Sequence, residues 1–210
     1  MRRALIPVLA IVTVLAFLQG CQRARHEQKC TLEHPCDVTI GDVTLKMLRH
    51  VHLGSHEDGV VIYPDRDVRF HYENSLKGLR IFVQTLRPQD MKIKAPDPRT
   101  LVPDRSLYPA APSSMKVFAL PTGGRTMALI FGDDLTVLGK PVFVRCNLGS
   151  KIPTGRREQP FRLSNLCYAQ GNLTSKVKVT VIFSDDRFPP NEWRTLFNAL
   201  GTGLEAVVVQ

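Results

Sequence analysis

The chain has 210 residues, 43% of them hydrophobic and 22% charged, with 28 Lys and Arg against 19 Asp and Glu. That balance excludes a disordered polymer and a bundle of membrane spans, while 14 Gly, 15 Pro and no short repeat exclude collagen and coiled coil. A mildly basic globular protein remains, long enough to bury a core without a structural metal. At the N-terminus, Arg2 and Arg3 precede an apolar run from Ala4 to Leu18 that ends in Gln19, Gly20 and Cys21. This is the three-part pattern of a secretory signal peptide. The run is shorter than the roughly 20 residues a helix needs to cross a bilayer, and it contains Pro7, so a retained span is the weaker reading.

Leu18-Gln19-Gly20-Cys21 resembles the lipobox of bacterial lipoproteins, in which a small residue stands directly before the cysteine. The resemblance implies cleavage after Gly20, diacylation of the Cys21 sulfur and acylation of its new amine. Several acyl chains hold a soluble domain on a bilayer durably, where one chain does not. Gln22 stands where an Asp would retain such a protein in the inner membrane, so the resemblance implies an outer-membrane location, facing the periplasm. Residues 1–20 are then a cleaved signal peptide and 21–36 a lipidated tether, with Arg23, Arg25 and Lys29 close to anionic headgroups.

Four further cysteines follow: Cys30, Cys36, Cys146 and Cys167. In an oxidising compartment an even number points to disulfides, and four admit three connectivities. Nearness in sequence favours Cys30 with Cys36 and Cys146 with Cys167. Zinc held by thiolates and His34 is the rival, opposed by the spacing and by the compartment.

From Asp37 onward, short apolar segments of period two recur between turn signals. Val38 and Ile40, then Gly41-Asp42, then Val43, Leu45 and Met47 spell a two-residue hairpin with Gly at its first turn position. Further strands are expected at 60–63, 68–72, 79–86, 115–120, 126–131, 135–138, 142–146, 166–169 and 177–183. All six histidines lie at or before His71. His50 and His52 share a strand face, with His56 folding back through Gly54-Ser55. Imidazoles so spaced suit copper or zinc, but no carboxylate or cysteine completes the set, and no metal ligand is assigned.

The stretch 95–114 holds five prolines and no apolar period, and reads as a long structureless excursion from a single domain spanning 37–210. Asp133-Asp134 and Asp185-Asp186 fall at strand ends, where Asp forms turns, rather than as a general acid and base. Between Cys146 and Cys167, Lys151, Arg156, Arg157 and Arg162 face one acid, Glu158, on what reads as a disulfide-closed, exposed loop. Such a loop suits an acidic protein face or another anionic envelope component. Nucleic acid is excluded because aromatic interleaving is poor. Asn172-Leu173-Thr174 is a sequon without consequence in a bacterial lipoprotein. Finally, Pro189-Pro190-Asn191 leads into an apolar stripe of Trp193, Leu196, Phe197 and Leu200, a helix that Gly201 should stop, before a last strand at 206–209.

The expected fold is mainly β, a sandwich or partly open barrel with one C-terminal helix. No nucleophile elbow, phosphate loop, dinucleotide fingerprint or zinc-protease helix is present, and no cofactor is named. The expected role is therefore non-catalytic: a binding or assembly component of the cell envelope, for example accessory to a secretion, pilus or conjugation apparatus. The alternative is an immunity or inhibitor lipoprotein that blocks a toxin or a cell-wall lytic enzyme.

Overall fold

The computed structural model describes residues 30–48, 51–52, 59–86, 97–122, 125–152 and 162–209. Residues 1–29, which include Cys21, the segment expected to be cleaved and the first part of the expected tether, lie outside them. Among the described residues no helix is long and apolar enough to cross a membrane.

The fold is mainly β, with two sheets and one C-terminal helix. The first hairpin forms as its sequence requires: β1 (Cys36–Ile40) and β2 (Val43–Met47) pair from Ile40↔Val43 to Cys36↔Met47. Gly41 turns the chain at φ +58°, where a Cβ would also meet Val177 at 2.9 Å, so glycine serves both the turn and close packing. β11 (Val208–Val209) adds to the other side of β2 and completes a three-stranded sheet.

The second sheet has eight antiparallel strands in the order β3-β4-β5-β10-β9-β8-β7-β6. They are β3 (Val51–His52), β4 (Gly59–Ile62), β5 (Arg80–Thr85), β6 (Lys116–Thr122), β7 (Arg125–Val137), β8 (Lys140–Ile152), β9 (Arg162–Asn172) and β10 (Val177–Ser184). The sheet stays open, with β3 and β6 at its two edges, so the arrangement is a sandwich and not a closed barrel. Alternation places Val177, Val179, Val181 and Phe183 of β10, with Ile81 and Val83 of β5, on the core face.

The helix α1 (Trp193–Glu205) fills that core with Trp193, Leu196, Phe197, Leu200 and Leu204. Phe183 sits among the rings of Trp193, Phe197 and Phe188 at centroid distances of 5.6, 5.9 and 6.3 Å. Edge-on contacts of this kind favour aromatic packing beyond the area buried. The indole of Trp193 donates to the Phe188 carbonyl at 2.8 Å.

Four sequence expectations are corrected. Gly201 does not stop the helix, which runs through it to Glu205 because its face lies against the turn after β7, and a Cβ there would come 3.3 Å from the Leu138 amide. The two strands expected at 126–131 and 135–138 are one bent strand, β7, whose register shifts between Phe131 and Thr136. Asp133-Asp134 therefore sit at a bulge within a strand and not at a strand end. The segment 68–72 is not a strand: after a 3-10 turn at Pro64–Arg66, Arg69 folds back on Asp67 and Phe70 turns inward onto Gly203.

The Pro-rich excursion, over its described part from 97 onward, has structure. Two 3-10 turns, Pro98–Thr100 and Arg105–Leu107, are capped by the side chains of Asp97 and Asp104. Arg105 donates to the carbonyls of Met115 and Ala111, and Tyr108, Ala111 and Met115 are buried in the core. Prolines supply the backbone angle that such turns need, so a stretch without apolar period still orders itself.

Candidate functional site

Both disulfides favoured by nearness are present: Cys30 with Cys36 at a Cα separation of 5.3 Å, and Cys146 with Cys167 at 4.1 Å. The second does not stand at the mouth of a surface loop. Cys146 and Cys167 are direct cross-strand neighbours on β8 and β9, both fully buried in the core. Past them the two strands continue, with Ser150↔Ser164, Lys151↔Leu163 and Ile152↔Arg162. Lys151 and Arg162 thus stand on adjacent rungs of a two-stranded ribbon that continues beyond the Met127↔Asn147 and Ser184↔Leu166 rungs, where the flanking strands end their pairing. Arg156 and Arg157, in the connection between them, lie outside the described residues.

Of the histidine group, His52 falls on β3, and His50 and His56 lie outside the described residues. Among the described residues no three of His, Cys, Asp or Glu come together in a metal-holding group.

Of the acids weighed for catalysis, Asp185 is tied into the fold. Asp185 accepts the Tyr108 hydroxyl at 2.5 Å, the Asn165 amide N–H at 3.0 Å and the Asn165 side chain at 2.7 Å. This knot ties the Pro-rich excursion to the ends of β9 and β10. Burial first, and then the Asp185 carboxylate, hold the Tyr108 phenol protonated well above its ordinary range. A second tie joins Tyr72 and Asn74 to Glu192, just before α1, at 2.9 and 3.2 Å. Burial, again followed by its acidic partner, pushes Tyr72 up to about 12.

A third tie is an ion pair. Arg69 donates to both oxygens of Asp67, at 2.9 and 2.6 Å, and through its remaining nitrogen to the Lys46 carbonyl at 2.6 Å. Asp67 is 8% exposed and Arg69 12%.

A space is left open beside the three-stranded sheet. A cleft of about 770 Å³ lies between the three-stranded sheet and the turns after β7 and β9. Leu138, Leu173, Val208 and Val209 give it apolar walls, and Lys46 and Glu205 give it charges of opposite sign. Leu138 belongs to the turn after β7, in which Leu138 and Gly139 both have positive φ, +54° and +67°. Leu138 accepts that conformation while its side chain packs on the core. The sequence held no sign of this cleft, because its residues come from four separate segments that nothing local connects.

Comparison with protein-family models, with curated proteins and with solved structures finds no match to this chain.

Proposed function

We propose that the chain is a non-catalytic lipoprotein of the outer membrane, anchored through Cys21 and facing the periplasm, where it binds another envelope component. The observation that carries this reading is Leu18-Gln19-Gly20-Cys21 at the end of a short apolar run behind Arg2 and Arg3. Two disulfides, one of them fully buried, are in keeping with an oxidising compartment. The binding half of the proposal draws on the ribbon formed by β8 and β9: the stretch from Lys151 to Arg162, its last rungs and the connection between them, carries four basic residues and one acid. Clustered charge of one sign accelerates and orients encounter with an anionic partner, and salt screens it over about 8 Å.

Labelling cells with radioactive palmitate tests the anchor. Wild-type protein takes up label and Cys21→Ser does not, and label in the variant removes the lipoprotein reading. Reversing Arg156 and Arg157 to Glu tests the ribbon: capture of the natural partner from envelope membranes falls most at low salt, with the melting temperature unchanged. Equal capture across a salt series would move the contact elsewhere. A toxin or lytic enzyme as the captured protein would favour the immunity role over assembly.

A further inference from the structure

We infer that the cleft beside β11 receives an extended peptide segment of another protein, added as a fourth strand to the three-stranded sheet. The inference rests neither on the acyl anchor nor on the basic ribbon. Its first support is the hydrogen-bond phase of β11. The Lys46 N–H donates to the Val207 carbonyl at 2.7 Å, and the register continues Val208↔Leu45 and Val209↔Thr44. Hydrogen-bonded and non-bonded pairs alternate along an antiparallel ladder, so Val208 turns its own N–H and C=O away from β2. Among the described residues no strand meets them on that side, because β11 is the edge of its sheet. A free donor and acceptor on one extended residue are the groups that strand addition uses.

The second support is that the space beside this edge is already built. The Lys140 ammonium donates to the Leu173 carbonyl, and the Thr174 hydroxyl donates to Asp42 at 2.6 Å, which joins three turns around the cleft. A volume of about 770 Å³ falls within the range of formed ligand sites, and a fixed rim leaves less to order on binding.

The third support is the chemistry of the lining. Leu138, Leu173 and Val209 offer apolar contact to side chains that alternate along an added strand. Lys46 and Glu205, both exposed, make no side-chain hydrogen bond or ion pair among the described residues. Opposite signs at one rim disfavour an anion or a bare acyl chain, and suit a segment that carries an acid and a base on either side of a β-branched residue.

The test is to pan a random heptapeptide library displayed on phage against the full-length Cys21→Ser chain, then to measure hydrogen exchange with the enriched peptides. The expected peptides bind saturably and slow exchange of the Val208 amide about ten-fold. They lose at least about ten-fold in affinity to Val209→Trp, a substitution at an exposed position that fills the cleft. Selection against Lys46→Glu with Glu205→Lys should return peptides with acid and base interchanged, which keeps the test standing if Val209→Trp misfolds. The inference is overturned if no peptide is enriched, or if enriched peptides leave the Val208 amide unprotected. It is also overturned if Val208 becomes protected at high protein concentration without peptide, since the occupant is then a second copy of the chain.

Discussion

At Arg69 a single guanidinium joins three parts of the chain: the loop through Asp67, β2 through the Lys46 carbonyl, and the end of α1, where the Ala206 carbonyl lies 3.5 Å away. Removing one member of a buried pair leaves the other charge desolvated without compensation, which is worse than removing both. Arg69→Met should therefore lower stability by about 3 kcal/mol in urea denaturation, and the double variant with Asp67→Leu should recover part of that loss. Tyr72 makes a different demand. Its pKa is raised in the folded state, so the stability it contributes is complete below pH 10.0 and is lost as pH climbs through about 12. Alkaline unfolding followed by circular dichroism should show that slope, and Tyr72→Phe should reduce it, leaving the share that Tyr108 contributes. None of these partnerships was legible beforehand, since Tyr72 and Glu192 stand 120 residues apart and each looks like an ordinary polar residue.

The helix shows how far local signals reach. Its apolar stripe was plain from Trp193 to Leu200, but glycine reads as a stop only when the helix has no use for close approach. At Gly203 a Cβ would overlap the Phe70 ring, and at Gly201 it would stand in tight contact with the Leu138 amide, at 3.3 Å. Alanine at 203 raises helix propensity by about 1 kcal/mol yet must displace a buried ring. We expect Gly203→Ala to destabilise the protein by about 2 kcal/mol in thermal melts, the overpacking effect outweighing the propensity. The two disulfides differ in the same manner. Cys146 and Cys167 are fully buried between strands, whereas Cys36 is only half buried. Mild reductant should open the Cys30–Cys36 bridge first, with thiol labelling at Cys146 appearing only at the rate of unfolding. Loss of the buried bridge by Cys146→Ala with Cys167→Ala should lower stability by about 3 kcal/mol.

Across the whole molecule, period-two alternation marked most strands, because each β10 or β5 residue that turns inward must be apolar whatever its neighbour is. The order of the strands was not marked. Pairing of β5 with β10 joins residues 80–85 to 177–182, and nothing local to either segment names the other. The same long reach governs how the chain comes to be folded. A polypeptide released N-terminus first presents β5 long before its partner exists, and β2 waits for Val208 and Val209 at the other end. Until β10 arrives, the eight-stranded sheet exists only as separate parts, with β5 and β9 as unpaired edges that invite wrong pairing. Synthesis stalled before residue 177 should leave the facing edges of β5 and β9 without native protection, whereas a chain delivered through Val209 closes both sheets almost together. Vectorial delivery therefore makes both sheets depend on residues 177–209, and the interval before they emerge is when a holding chaperone has the most surface to grip.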